Sequence, residues 1–391
     1  MRMISGHYIF TGRELIKNGV IEIDNSGKIM NVSSLGDEIV EKESTEFFNG
    51  IIIPGLVNAH CHIELSSLKG VIPQHTGMTG FCRMVISCRD LVEKQIEAMY
   101  EADKLMENEG IVAVGDISNN DSSVQMKKDS HLIYHTFVET LNLDPCLANE
   151  NIVKARKIKQ NFAEAGLRVS ITPHAPYSLS EELFAMSVEE GNSSGILSIH
   201  NEESVDEMEL FANKQGKMRD FFGTKMDEFL PKYDNPLLRI LKYINQETKM
   251  ILIHNTHTNE QDLKMASEWN KKTTWVLCPA SNLYIENNLP DVRLFLKHNA
   301  HVAIGTDSLS SNTNLSILQE MKILDSNFPE IGLQNLLRWA TLNGAEALNL
   351  DSILGSFDKG KRPGIFLLSD IDYKNMRLTE NSKVTKILID N

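Results

Sequence analysis

Several things are scarce in this chain of 391 residues. Only 5 cysteines occur, and no two stand in a CxxC pair. An odd count without paired spacing argues against a disulfide framework and for reduced thiols. Basic residues are outnumbered, 39 Lys and Arg against 53 Asp and Glu, a net charge of −14. A nucleic-acid surface needs a basic stripe, so no nucleic-acid partner is expected. No apolar run reaches ~18 residues, which excludes a transmembrane helix by this criterion, and no membrane partner is expected. The opening MRMISGHYIFTGREL lacks the long apolar core of a secretory signal. Together these absences point to the cytoplasm. Internal repeats and low-complexity tracts are missing as well.

What is present is a core-forming chain, 41% hydrophobic, in three regions. Residues 1–54 alternate short apolar runs with turn residues, NSGK being the expected hairpin turn. Residues 55–352 alternate short apolar runs with longer helical stretches. Eight candidate strands cover 51–60, 111–118, 131–139, 167–174, 195–200, 250–255, 273–279 and 301–307. Helix-like segments include 86–109, 151–165, 180–191 and 259–271. Alternating βα units of this number predict an α/β fold, a closed (β/α)₈ TIM-like barrel. Residues 353–391 carry further candidate strands, SILGSFDKGKRPGIFLLSD and KVTKILID. They are expected to join the first region in a small β-sandwich domain built from both chain ends. The segment 203–233 is expected to make a helical excursion over the barrel mouth.

The polar residues gather at strand ends. His60 and His62 close the first candidate strand. Two residues apart on a strand, they point to one face and can reach one ion. Cys61 between them faces the other way and is expected to be buried. His174, His200, His254 and Asp307 close the fourth, fifth, sixth and eighth candidates. In a barrel all of them reach the C-terminal mouth, where such folds carry their chemistry. Three imidazoles and a carboxylate suit one borderline divalent ion, Zn²⁺ first and Fe²⁺ second, with a position left for water. Each residue alone has a plainer reading, as a strand-end polar group, a helix cap or a turn residue. Their joint occurrence is what carries weight.

The motifs PGLVNAHCH, SIHNEE, LIHNTH, LCPASNLYIEN and AIGTDS resemble the amidohydrolase superfamily, in its cytosine-deaminase and chlorohydrolase-like branch. The likeness spans nearly the whole chain, although GKRPGIFLL stands where the branch usually reads GKxADLVL. The resemblance implies that His60, His62, His200 and Asp307 are metal ligands and that Asp307 takes a proton from the attacking water. It implies that His254 orients that water or the developing oxyanion. It makes Glu203 the general acid/base, in preference to its neighbour Glu202. His174 would bind substrate, with Tyr177 lining the pocket. His257 is read as structural. Arg83, Gln74 and His75, in the loop after the first strand, are candidates for meeting a substrate anion; Glu139 is a candidate at the third strand end. A homodimer through barrel helices is a further expectation from the resemblance.

The reaction expected is hydrolytic release of ammonia from an amino-substituted N-heterocycle, a small base or nucleoside-like molecule, by metal-activated water. One alternative is a hydrolase of cyclic amides, which usually needs a carboxylated lysine on the fourth strand; LRVSITPH holds none. Another is loss of chloride or alkylamine from a triazine-like ring. A third, of a different class, is a non-catalytic barrel scaffold, which would be expected to have lost ligands.

Overall fold

The computed structural model describes residues 2–34, 45–89, 93–223 and 232–387. The strands, in chain order, are β1 (Arg2–Phe10), β2 (Leu15–Lys17), β3 (Gly19–Ile23), β4 (Ile29–Ser34), β5 (Thr45–Ile53), β6 (Leu56–Cys61), β7 (Ile111–Ser118) and β8 (Ile133–Thr140). They continue with β9 (Arg168–Pro173), β10 (Ile196–Asn201), β11 (Lys249–His254), β12 (Thr273–Leu277), β13 (Val302–Ile304), β14 (Phe366–Ser369) and β15 (Lys383–Lys386). The fold is α/β, with the parallel strands separated by helices.

Both chain ends meet in one seven-stranded sheet, ordered β15-β14-β5-β1-β3-β4, with β2 paired to β1. The NSGK turn joins β3 and β4, and Asp24 accepts there from the Ser26 and Lys28 amides. β14 lies antiparallel on β5, Leu368 opposite Ile51. The residues after Ile387 in KVTKILID lie outside the described residues.

Two four-stranded parallel sheets follow, β6-β7-β8-β9 and β10-β11-β12-β13. Their edges approach each other at both seams. The His200 amide donates to the His174 carbonyl at 3.0 Å, and the Thr306 and Asp307 amides donate to the His60 carbonyl at 3.0 and 3.1 Å. These strands are apolar on both faces, as parallel strands between helices must be. Along β11, Met250 and Leu252 join the cluster that contains the helix residues Leu237, Ile240 and Leu263. Ile251 and Ile253 instead join Val57, Ala59, Ala113, Val276 and Ala303 of other parallel strands.

Three expected elements differ. The candidate strand 51–60 is two strands in different sheets, β5 and β6. Pro54 offers no amide to a ladder, and at Gly55 a Cβ would meet the Val112 side chain at 2.3 Å, so the chain crosses between sheets at that dipeptide. The candidate helix 86–109 spans parts of two helices, Gly77–Cys88 and Gln95–Asn108; residues 90–92 between them lie outside the described residues. In the candidate strand 301–307 the ladder to β12 covers Val302–Ile304, and Asp307 beyond it makes an isolated parallel bridge to Cys61. In the excursion 203–233, helices occupy Val205–Asn213 and Lys217–Phe222; residues 224–231 lie outside the described residues. Among the described residues no helix is long and apolar enough to cross a membrane.

Candidate active site

The ends of β6, β10, β11 and β13 converge on one polar floor. His60 closes β6 with its side chain 1% exposed, and both of its ring nitrogens are buried without a hydrogen-bond partner. His62 follows β6; its Nε2 lies 3.3 Å from Nε2 of His200. Asp307 Oδ1 faces both β6 histidines, 3.7 Å from His60 Nε2 and 3.6 Å from His62 Nε2. The ligand-capable atoms of His60, His62 and His200 all lie within 4.8 Å of one another, as do those of His60, His254 and Asp307. Cys61 is fully buried in the core.

The floor is held in place from behind. His200 Nδ1 donates to the His174 carbonyl at 2.8 Å, which turns the lone pair of Nε2 toward the floor. Hydroxyls of Ser281 and Ser311 donate to Asp307 Oδ2, at 2.7 and 2.5 Å, so that Oδ1 alone faces the imidazoles. Asn58 clamps the seam: its amide donates to Thr306 Oγ1 at 2.7 Å and accepts from the Thr306 amide at 3.1 Å. Positive φ angles at His254 (71°), Asn255 (56°), Asp307 (57°) and Glu202 (50°) turn the chain sharply where strands end. Such conformations are uncommon for residues with a Cβ, and they cluster at functional sites.

Charge follows burial. Desolvation lowers the pKa of His60, His200 and His62, the last to about 3, which keeps the imidazoles neutral with lone pairs free. Burial also opposes charge on Asp307, but contacts with His60, His62 and His254 outweigh it and hold the carboxyl well below its ordinary range. Neutral imidazoles beside one carboxylate form a donor set for a divalent cation.

Glu203 points into this site, with Oε1 3.2 Å from His254 Nε2. Burial first, then the charges of Asp307 and Glu286, push its carboxyl well above the usual value. Glu202 turns the other way. It is fully buried, accepts from Asn201, Asn235 and Thr258, and ties the loop after β10 to its neighbours.

Above the floor opens a cavity of about 320 Å³. His62, His174, His200, Glu203, His254 and Asp307 line its base. Its walls are largely apolar: Met78, Phe81 and Val85 of helix Gly77–Cys88, Leu141 and Leu143 after β8, and Met218, Phe221 and Phe222 of helix Lys217–Phe222. His174 uses Nδ1 on Ser178 Oγ at 2.8 Å. Tyr177 is buried in the wall, edge-on to His174 at 5.8 Å. Glu139 also lines the cavity; Asn119 donates to its Oε2 at 2.8 Å.

Arg83 is not among the lining residues. It sits on the exposed face of its helix with its guanidinium 5.1 Å from the centre of the Phe221 ring. Arg89, six residues further along and just past the helix end, lines the cavity instead. Gln74 and His75 do not line it, and the His75 amide donates to the Tyr284 carbonyl. His257 stands 3.9 Å from Glu286. Sequence reasoning missed Ser311, Asn58 and the apolar wall. The spacing of Met78, Phe81 and Val85 along one helix face was the available signal for the wall.

Comparison with known proteins places this geometry in context. The model of the amidohydrolase family matches residues 51–390. An adenosine deaminase of Helicobacter pylori is 26% identical over 382 residues, which cover 95% of this chain and 90% of that protein. The crystal structure of Helicobacter pylori aminofutalosine deaminase in complex with methylthio-coformycin superposes with a TM-score of 0.82 at 23% identity, covering 95% of this chain and 93% of that one. That of an adenosine deaminase from Xanthomonas campestris with bound zinc gives 0.73 at 19% identity, covering 94% and 84%. With the family model matched across most of its length, the chain belongs to the amidohydrolase family.

Proposed function

We propose that this protein is a metal-dependent hydrolase that releases ammonia from an amino-substituted N-heterocycle of nucleoside type. The observation that carries the reading is one meeting point: three neutral imidazoles, one carboxylate and a proton-holding Glu203 at the base of an apolar cavity. The deaminases of Helicobacter pylori and Xanthomonas campestris support it.

The reading takes the two parallel sheets as a closed eight-stranded barrel over residues 55–352. The seven-stranded sheet, from 1–54 and 353–391, is taken as a small appended domain. The hydrogen bonds at both seams, and the apolar cluster shared by strands of both sheets, support closure.

His60, His62, His200 and Asp307 would hold one divalent ion, Zn²⁺ before Fe²⁺. The residues fit: the buried, unpartnered nitrogens of His60 need a ligand to offset their desolvation, and the donor set is that of zinc. Such an ion, when bound, supplies Lewis acidity that makes water a nucleophile near neutral pH.

The chain's own groups do the rest. Asp307, fixed by two serine hydroxyls, accepts the proton of the attacking water. Glu203 delivers its proton to the ring nitrogen beside the amino-bearing carbon, which makes that carbon electrophilic; reloaded with the proton that Asp307 took from the water, it protonates the departing amine, and the hydroxyl proton left on the substrate restores the glutamic acid as ammonia leaves. His254, with its Nε2 lone pair facing the site, accepts a hydrogen bond from the attacking water and orients it. His174, its Nδ1 committed to Ser178, offers Nε2 to the heterocycle. Tyr177 and the apolar walls exclude water and receive an apolar substituent.

Ammonia release tests the reading. Zinc-loaded protein is offered aminopurines, aminopyrimidines, their nucleosides and 5′-thioether nucleosides. Release is expected from the adenosine-type nucleosides. Silence across the panel with zinc bound would reject deamination and direct attention to chloride or alkylamine leaving groups.

A further inference from the structure

A buried ion pair lies behind the site and takes no part in the chemistry above. Lys127, on helix Val124–Asp129, and Asp116, on β7, are both 0% exposed, and Lys127 Nζ lies 2.6 Å from Asp116 Oδ2. Lys127 also donates to Ser118 Oγ and Thr136 Oγ1, each at 3.0 Å. The rings of Phe162 and Tyr134 lie over the ammonium, at 4.9 and 5.4 Å. Taking two charges fully out of water is costly, and apolar side chains of like size commonly fill such a place without loss. The pair therefore calls for a role other than stability.

The other carboxylate oxygen supplies one. Asp116 Oδ1 accepts from the Ile63 amide at 2.8 Å. Ile63 follows His62 directly and opens the 3₁₀ turn Ile63–Leu68, which His62 starts without any side-chain cap. The β6–β7 ladder ends at Cys61 opposite Asp116. Past that point, the His62 carbonyl is held by its own turn through Leu65, and the chain is tied to the sheet at Ile63. Asp116 thus caps that turn from the neighbouring strand, and Lys127 fixes the carboxylate so that Oδ1 can do so.

We propose that Asp116 is a positioning residue for His62, with Lys127 compensating its buried charge: the Asp116 acceptor sets where the His62 imidazole stands relative to His60, His200 and Asp307. This rests on the reading of those residues as metal ligands. The acting element is the acceptor at Asp116, not the charge, so two double variants separate the terms. D116N/K127M removes both charges and keeps an oxygen for the Ile63 amide. D116L/K127M removes both charges and the acceptor.

The test uses the full chain. Zn²⁺ affinity is measured by chelator competition, the visible spectrum of the Co²⁺-loaded protein reports ligand geometry, and thermal melts of metal-free protein report the fold. D116N/K127M is expected to keep near-native affinity and the native cobalt spectrum. D116L/K127M is expected to lose about 10–100-fold in affinity, with a changed cobalt spectrum and a metal-free melt close to that of D116N/K127M. If D116L/K127M does not fold, D116A/K127M replaces it with the same expectation. Native affinity and spectrum in the variant without the acceptor would overturn the proposal, as would equal losses in both double variants. Absence of Zn²⁺ and Co²⁺ binding by the unsubstituted protein would reject the metal reading itself, and the positioning role with it.

Discussion

Glu203 Oε1 stands 3.2 Å from His254 Nε2, and burial favours the neutral form of both groups. Asn282 donates its amide to Thr256, so its Oδ1 faces His254 Nδ1 at 3.1 Å and can only accept. Nδ1 therefore carries the hydrogen and Nε2 the lone pair. Glu203 Oε1 is placed to donate to that Nε2 when protonated. Burial pushes in the same direction on both sides, raising the Glu203 carboxyl and lowering the His254 imidazole.

Glu203→Gln keeps the shape and removes the transferable proton. Turnover is expected to fall by about 10²–10⁴-fold, with zinc content unchanged. Glu202→Gln is expected to keep most of the rate and lose about 1–3 kcal/mol of stability, because its buried acceptors are already engaged. Steady-state rates and melts of the two variants, side by side, decide the assignment; the opposite pattern would reverse it.

Asp307→Asn is expected to abolish detectable turnover and to weaken zinc retention. The amide brings no charge, and its nitrogen would meet either the imidazoles or the Ser281 and Ser311 hydroxyls. Zinc content after dialysis, read with the rate, checks both halves; near-native activity would refute the role.

Chelation followed by zinc titration should remove and restore activity. It should also move the melting transition. A ligand that binds only the folded state at 1,000 times its Kd stabilises by about 4 kcal/mol. An unmoved transition on zinc addition would count against the four-residue site.

The apolar wall invites a selectivity test. Phe222→Ala is expected to raise KM by about 10-fold for nucleosides with an apolar substituent and to leave the free base nearly unaffected. Phe222 lines the cavity beside Tyr177, 6.3 Å between ring centres. An equal change for both substrates would show that the wall does not discriminate.

His135 gives a pH test away from the site. It is buried on β8 against Ser170 Oγ at 3.1 Å, and burial lowers its pKa to about 3. The unfolded chain takes up that proton near pH 6.5. Its contribution to stability is therefore complete above about 6.5 and is lost as pH falls toward about 3. His135→Gln should flatten the acid side of the stability profile, as measured by denaturant midpoints across that window.

The site was more legible in the sequence than the elements around it. His60, His62, His200, His254 and Asp307 stand out because polar groups at the ends of apolar runs are conspicuous, and one parallel fold carries such ends to one place. The break at Pro54–Gly55 is signalled by the dipeptide itself and by the region boundary placed there, but the apolar character continues from β5 into β6, so the pattern reads as one strand through it. The two helices Gly77–Cys88 and Gln95–Asn108 are joined without a proline or glycine, so local sequence does not reveal their separation. Arg83 and Arg89 look alike as nearby cations on one segment. Which of them meets the cavity depends on helix phase and on the packing of Phe221, a residue far along the chain.

The pairing of β14 with β5 also sets an order of events at the ribosome. Ile51–Ile53 emerge early and then wait, unpaired on one side, until Phe366–Ser369 are synthesised. At roughly 5–20 residues per second the delay is on the order of tens of seconds. An apolar strand with a bare edge is a template for intermolecular pairing. A nonsense mutation between Asp307 and Phe366 would leave that edge open for the life of the chain, so such truncations should aggregate even with every residue of the polar floor intact.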